Sequence, residues 1–192
     1  TYIDVPGKHN VTNSLASVAL GLELGIPFSA ISRGIQSYSG VKRRFEIKGT
    51  CHDVMVVDDY AHHPTEVRAT LDAARDGWNR RIIAVFQPHL FTRTRDFYQD
   101  FADSFSKADI LIVTKIFPSR EEPIEGISGE LVVHAAQENN HPQPLYINEW
   151  EQLKKSLDKF IRPGDMVITI GAGNIWRFCQ EYFEHLSAKS NL

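Results

Sequence analysis

Side chains able to carry out chemistry are concentrated at residues 58–66, where the sequence is DDYAHHPTE. The segment follows an apolar run that is typical of a buried strand, and it leads into a predicted helix. Two of its members have local explanations, a helix cap at Thr65 and a favourable charge in the first turn at Glu66. Asp59 and His62 are harder to explain by packing, and an imidazole transfers protons near neutral pH. We therefore predict functional roles for Asp59 and His62, with a zinc site at the adjacent histidines as the weaker alternative.

Residues 87–95, QPHLFTRTR, form a second polar segment between a predicted strand and a predicted helix. The first turn of a helix exposes N–H groups that favour an anion, so an arginine there is unfavourable unless it has an anionic partner. Arg93 is thus a candidate for binding a carboxylate or a phosphate through charge-assisted hydrogen bonds. The alternative is a surface ion pair with Asp96 or Asp100, an explanation that suits Arg95 better.

The third segment, IGAGNIW at 170–176, places two glycines between a predicted strand and a predicted helix. This arrangement is typical of anion-binding loops, although the third glycine of the dinucleotide-binding motif is missing. Close packing of the helix on the strand would require Gly171 and Gly173 equally well, so both explanations stay open.

The elements that must position these segments follow from the hydrophobic pattern. Residues 1–40 contain two helices, which open near Asn10 and Ser29 and cannot bury a core alone. From Val41 onward, strands and helices alternate, with a turn predicted at Gly49-Thr50.

The predicted strands are 44–48, 54–57, 81–86, 110–116, 145–147 and 166–170. The predicted helices after the first two are 64–75, 92–107, 128–139, 148–160 and 172–186. This alternation indicates an α/β fold, a Rossmann-like and mostly parallel sheet with helices on both faces. Ligands of such sheets bind at the carboxyl ends of the strands, where all three polar segments lie.

Length, charge and cysteine content limit the possible classes of protein. The 192 residues carry a formal net charge of −3, which does not suggest a general polyanion binder. No apolar run approaches the ~18 residues of a membrane-spanning helix, and the first residues lack the pattern of a secretory signal. Cys51 and Cys179 have no metal-ligand spacing and fit a reducing cytoplasm, with a single disulfide as the alternative.

Five segments resemble the Mur ligase family, and they occur in the family's order along nearly the whole chain. They are GKHNVTN at 7–13, VKRRFE at 41–46, VDDYAHHPTE at 57–66, FQPHLFTRT at 86–94 and GDMVITIGAGNIW at 164–176. The resemblance implies a three-domain enzyme in which residues 1–40 are the helical tail of the central, ATP-binding domain. Residues 43–192 would then be the C-terminal domain, which closes over the active site with the incoming amino acid.

The resemblance also implies roles for individual residues. It assigns adenine contacts to His9, Asn10 and Asn13, and nucleotide contacts to Arg44 (phosphate) and Asp59 (ribose). It assigns the surface where the amino acid meets the sugar's carboxylate to Tyr60, His62, His89 and Arg93. Arg44 would stabilise transition-state charge, and either His62 or His89 would orient or deprotonate the amine. The implied cofactors are ATP and Mg²⁺, with the magnesium ligands mainly upstream of this chain and no metal ligand assigned within it.

Within the family, FQPHLFTRT favours the branch that joins L-alanine to UDP-N-acetylmuramate with ATP. The alternatives are the branch that recycles an intact tripeptide, a non-catalytic Rossmann-like binding module, and a histidine-based metallohydrolase. Leu90 stands where many family members have arginine, so Arg93 would hold the amino-acid carboxylate alone. Residues 6–9 are not a phosphate-binding P-loop, because His9 replaces the required Ser or Thr and Tyr2 replaces the first glycine. The chain by itself is therefore expected to be an inactive part of a longer enzyme.

Overall fold

A computed structural model describes residues 2–3 and 5–189, with only the backbone described for His9. Within this range the strands are β1 (Glu46–Cys51), β2 (Val54–Asp59), β3 (Arg81–Phe86), β4 (Ile110–Val113), β5 (Pro144–Tyr146) and β6 (Asp165–Ile170). The helices are α1 (Lys8–Glu23), α2 (Phe28–Gln36), α3 (Pro64–Gly77), α4 (Phe91–Ser104), α5 (Glu130–Glu138), α6 (Trp150–Phe160) and α7 (Ile175–Ala188). Each predicted element is present, with ends that differ by a few residues.

The six strands form one sheet in the order β1-β2-β6-β3-β4-β5. All neighbouring pairs are parallel except β1 and β2, which are antiparallel. The central strands β2, β3 and β6 are buried along almost their whole length because both of their faces are covered, and most of their residues are apolar. The predicted mostly parallel sheet is confirmed.

Two separate apolar cores lie on the two faces of the sheet. One packs α3, α4 and α5 against one face, with Leu71 and Phe101 fully buried. The other packs α6 and α7 against the opposite face, with Leu157 and Phe178 buried. Complete burial of such a side chain contributes about 1.5–3 kcal/mol, so the two cores hold the strand ends in fixed positions.

The hairpin between β1 and β2 differs from the prediction. Gly49 and Thr50 lie inside β1, and the turn is made by His52 and Asp53, both with positive φ (50° and 58°). Gly49 is needed for a different reason, because the strand register shifts between Ile47 and Gly49 and a Cβ there would lie 2.5 Å from the Phe183 ring. The turn prediction was wrong because this glycine serves a bulge and a close contact rather than a chain reversal.

The first two helices contrast with the rest of the chain in their exposed apolar side chains. Leu15 is 61% exposed and Leu22 is 54% exposed, and Leu20, Leu24 and Phe28 are also exposed. In the described part of the chain, no helix has both the length and the apolar character that crossing a membrane requires. Helices α1 and α2 therefore carry an apolar surface that the rest of this chain does not cover.

Candidate functional site

The polar segments meet at the carboxyl edge of the sheet. Residues 58–66, 87–95 and 171–176 follow β2, β3 and β6, which are parallel neighbours. The loop after β4 joins them, since His89 and Phe117 form an isolated parallel bridge. The parallel order thus brings together side chains that are more than a hundred residues apart in sequence.

A cleft of about 660 Å³ lies between α1 and this edge. It is lined by Asn10 and Asn13 of α1, Arg44 of the junction before β1, Asp59 of β2 and one face of α3. Four of the five residues to which nucleotide contacts were assigned therefore line one cavity, and the side chain of His9 lies outside the described part of the structure. Arg44 is exposed, and its guanidinium carbon lies 6.0 Å from the centre of the Tyr60 ring.

Asp59 is bound mainly by the backbone around it. Its carboxylate accepts the Phe45 N–H at 2.7 Å and the Ala61 N–H at 2.8 Å, and the residue is 5% exposed. Burial raises the pKa of Asp59, while the Ala61 and Phe45 N–H groups oppose that shift. Asp59 thus ties the junction before β1 to the segment after β2, a structural role that the sequence did not predict. The ribose contact stays a prediction.

Replacing Asp59 with alanine should lower the free energy of unfolding of this chain by about 1–3 kcal/mol, because two buried N–H groups lose their acceptor. Urea denaturation would measure this loss. Asp59→Asn is the matched control. Its free energy of unfolding should fall less, since the amide carbonyl oxygen can still accept one of the two N–H groups. Unchanged stability in Asp59→Ala would show that these two bonds contribute little.

Arg43, which precedes the predicted phosphate ligand Arg44, is a structural residue. Its guanidinium binds Asp58 with Nε 3.3 Å from Oδ2, and Nη2 donates to the Gly171 carbonyl at 2.6 Å. The same guanidinium lies 4.7 Å from the centre of the Tyr60 ring, within cation–π distance. Arg43 therefore fixes the Tyr60 ring relative to the sheet and the glycine segment.

The start of α3 shows how the first polar segment is held. His63 is the N-cap, and its Nδ1 accepts the Thr65 N–H at 3.4 Å, with Pro64 at the first helical position. The prediction that Thr65 caps this helix is therefore wrong, because the helix begins at Pro64, as predicted, and the residue before it is the cap. Glu66 lies in the first turn as predicted, and its carboxylate accepts the His62 N–H at 2.9 Å.

The four residues predicted to contact substrate form a continuous row. The rings of Tyr60 and His62 are 5.2 Å apart, and those of His62 and His89 are 6.1 Å apart. Arg93 continues the row, with Nη1 3.4 Å from Nδ1 of His89. We call Tyr60, His62, His89 and Arg93 the histidine–arginine row. Burial lowers the pKa of His89, and the charges of Arg93 and His62 act in the same direction.

Glu121 belongs to the site but carries no signal in the sequence. Its carboxylate accepts the Thr92 N–H at 3.0 Å and also binds the Thr92 hydroxyl, at the start of α4. These bonds lower the pKa of Glu121. The anion that the helix start was predicted to favour is thus an internal carboxylate, and the charge of Arg93 also acts on it. An external anion at Arg93 stays a prediction.

The glycine segment is explained by packing. A Cβ on Gly171 would lie 2.6 Å from the Gln87 carbonyl oxygen, and one on Gly173 would lie 2.6 Å from the Phe117 ring. The Gln87 side chain also accepts the Ile175 N–H at 3.0 Å and so occupies the start of α7. Of the two explanations left open, the structure supports close contact of backbone and side chains.

The structure also shows the surroundings of the other residues singled out in the sequence. Arg95 pairs with Asp96 at 2.7 Å, as the surface ion-pair explanation requires, whereas Arg93 faces His89. Leu90 is the N-cap of α4 with a φ of 74°, a conformation that is unusual for a leucine. Across residues 2–3 and 5–189, no group of three or more histidine, cysteine or acidic side chains could hold a metal ion. Both cysteines are free thiols.

The fold is a mostly parallel α/β domain with a cleft next to a row of imidazole and guanidinium groups at the carboxyl edge of its sheet. Residues 43–173 match the family model described as Mur ligase, glutamate ligase domain. The chain belongs to the Mur ligase family.

Named members of the family show which of its enzymes this chain is similar to. The UDP-N-acetylmuramate–L-alanine ligase of Geotalea uraniireducens is 47% identical over 182 residues, which cover 95% of this chain and 40% of that protein. The enzyme of the same name from Salinibacter ruber is 46% identical over 185 residues, covering 96% of this chain and 39% of that protein. The chain therefore spans about 40% of the length of these relatives.

Solved structures agree with the fold. The UDP-N-acetylmuramate–alanine ligase of Thermotoga maritima aligns with a TM-score of 0.81 and 28% identity, covering 97% of this chain and 40% of that chain. The murein peptide ligase of Psychrobacter arcticus aligns with a TM-score of 0.72 and 24% identity, covering 100% of this chain and 40% of that chain. The second likeness supports the fold alone.

Proposed function

We propose that this chain is the carboxy-terminal part of an ATP-dependent ligase that joins L-alanine to the carboxylate of UDP-N-acetylmuramate in peptidoglycan synthesis. The relatives that bear this activity in their names match almost the whole chain. The substrates would be UDP-N-acetylmuramate, L-alanine and ATP, and the location would be the bacterial cytoplasm.

The observation that carries the proposal is the direct contact between the cleft and the histidine–arginine row. The centre of the Tyr60 ring lies 6.0 Å from the guanidinium carbon of Arg44 in the cleft and 5.2 Å from the centre of the His62 ring. Glu66 lines the cleft and also accepts the His62 N–H. A nucleotide phosphate in the cleft would therefore end beside the groups that hold the amino acid, as transfer through a phosphorylated carboxylate requires.

The reaction explains why these residue types are needed. A carboxylate reacts poorly with an amine, so ATP first converts it to an acyl phosphate, which the amine of L-alanine attacks with loss of phosphate. Charge would accumulate on phosphate oxygens, and Arg44, which is exposed and lines the cleft, would stabilise it. Arg93 would bind the alanine carboxylate, because the helix start next to it is already occupied by Glu121.

The domain assignment and the metal belong to the same proposal. Residues 1–40 would be the tail of the central, ATP-binding domain, whose core would cover the exposed apolar face of α1 and α2. Residues 43–192 would form the C-terminal domain. Magnesium would accompany ATP and neutralise phosphate charge, with its ligands mainly upstream of this chain. This part alone would then be inactive.

ATP-dependent attachment of labelled L-alanine to UDP-N-acetylmuramate by the complete protein tests the proposal. Incorporation of alanine is the expected result, with none from the present chain alone. Ligation of the intact tripeptide in place of alanine would assign the protein to the recycling branch. If neither were ligated, a non-catalytic binding module would be the better explanation.

A further inference from the structure

The partners of Nδ1 fix the tautomer of the His62 ring. Nδ1 lies 3.0 Å from the Tyr60 carbonyl oxygen and 3.4 Å from a carboxylate oxygen of Glu66. Both partners only accept, so Nδ1 must carry a proton. In the neutral ring Nε2 then has a free lone pair, and no hydrogen bond to Nε2 is found in the described part of the chain.

His89 has the opposite arrangement. The Arg93 guanidinium only donates, so the His89 Nδ1 that lies 3.4 Å from Nη1 must accept. The proton of the neutral ring is therefore on Nε2. Burial and the charge of Arg93 lower the pKa of His89, which favours the neutral ring. His89 can thus donate from Nε2, but it has no free lone pair for a substrate proton.

We propose that His62 accepts the proton of the incoming alanine ammonium at Nε2, and that His89, held by Arg93 at Nδ1, donates its Nε2–H to an anionic substrate oxygen on the other side of the ring. This division of roles rests on the proposed ligase function. It assigns deprotonation of the amine to His62, whereas the sequence left the choice between His62 and His89 open. The rings are 6.1 Å apart, so both can reach a single small amino acid.

The proton balance is simple. The ammonium gives one proton to Nε2 of His62, and the freed lone pair attacks the carbonyl carbon of the acyl phosphate. The new C–N bond forms, the bond between that carbon and the phosphate oxygen breaks, and the second nitrogen proton leaves with the phosphate as HPO₄²⁻. His62 returns its proton to solvent, which reaches the side chain because 26% of it is exposed.

Glu66 lies beside Nδ1 of His62 and would accept from it during this step. Although burial alone would raise the pKa of Glu66, the His62 N–H and the nearby positive charges of His62 and Arg44 lower it. Glu66 is therefore ionised, with its carboxylate 3.4 Å from Nδ1. The charged or titratable groups near His62 are Glu66 on α3, Arg44, whose charge also acts on Glu66, and the neutral ring of His89 on the next segment.

The tautomers can be measured directly on this chain. Long-range ¹H–¹⁵N NMR spectra of histidine-labelled protein distinguish Nδ1–H from Nε2–H rings, and the variants His62→Gln and His89→Gln assign the signals. We expect Nδ1–H for His62 and Nε2–H for His89. An Nε2–H ring at His62 would overturn the proposal, whether or not the complete protein is a ligase.

Asparagine and glutamine variants of the complete ligase test the roles. His62→Asn keeps a donor near the Nδ1 position but has no basic nitrogen, so kcat should fall by about 10²–10⁴-fold while the melting temperature stays unchanged. His89→Gln keeps a donor near Nε2, whereas His89→Asn does not. The kcat/KM for alanine should fall about 10- to 150-fold in His89→Asn and far less in His89→Gln.

The outcomes separate the proton-acceptor role from the ligase function. A His62→Asn enzyme within a few fold of the parent would overturn the role of His62 and leave the function intact. Equal losses in His89→Gln and His89→Asn would overturn the donor role of His89. A parent enzyme that does not ligate alanine would contradict the function itself.

Discussion

Replacing Arg43 with alanine should lower the free energy of unfolding of this chain by about 3–5 kcal/mol. The Asp58 side chain is 0% exposed, and Arg43 is its cationic partner. Without the guanidinium, the carboxylate would keep the Thr169 hydroxyl at 2.7 Å, and a buried charge with so little compensation is costly. The carbonyls of Gly171 and Gly173 would lose a donor as well. Urea denaturation followed by tryptophan fluorescence measures the change.

The size of this loss should depend on pH. Burial raises the pKa of Asp58, opposed by the Thr169 hydroxyl and by Arg43, and removing Arg43 would raise it further. The folded variant then binds a proton at pH values where the unfolded chain does not, so its stability rises as the pH falls through that raised pKa. The deficit should be largest at neutral pH and smaller in acid.

A double variant provides the control for the charge. Arg43→Ala with Asp58→Asn removes the unpaired charge but keeps a side chain that can bind the Thr169 hydroxyl. It should be more stable at pH 7 than Arg43→Ala alone. Equal stabilities would mean that the Asp58 charge is not what makes the single variant unstable.

Replacing Arg93 with alanine in the complete ligase should cost about 1.5–3 kcal/mol of transition-state stabilisation, the usual contribution of a hydrogen bond to a charged group. This corresponds to a fall of about 10- to 150-fold in kcat/KM for L-alanine. The structure supports the choice of Arg93, because it faces His89 while the adjacent helix start is occupied by Glu121. Steady-state kinetics with L-alanine varied at saturating ATP and sugar nucleotide give the answer.

Arg95 is the matched control on the same helix. It lies two residues further on, is exposed, and pairs with Asp96 at 2.7 Å. Arg95→Ala should leave kcat/KM for alanine unchanged. If Arg93→Ala and Arg95→Ala behaved alike, the alanine carboxylate would have to be bound elsewhere, and Arg93 would leave the site.

The sequence by itself determined the elements and their class. Short apolar runs such as 82–86 are typical of strands covered on both faces, and their alternation with helical patterns leaves a parallel sheet as the simplest arrangement. A parallel sheet in turn sends the segments after its strands to one edge. The expectation that residues 58–66 and 87–95 meet therefore needed no coordinates.

Only the tertiary structure decided which groups in these segments are free. Asp59 looked like a ligand-binding carboxylate, but its oxygens accept the N–H groups of Phe45 and Ala61. The start of α4 looked like an anion site, but Glu121 fills it from a loop 29 residues away. The Ala61 bond is a local aspartate turn, but the bonds from Phe45 and Thr92 join residues 14 and 29 positions apart, and no spacing rule reports them.

The sequence alone could not identify the contact partners of the glycines and the histidines either. Gly171 and Gly173 were consistent with anion binding until the positions of Gln87 and Phe117 showed what lies against them. His62 and His89 are the same residue type in similar segments, and their tautomers differ because one ring faces acceptors and the other faces a guanidinium. Residue type and local pattern set which chemistry is available, whereas the partners brought by the fold decide which atom is free to carry it out.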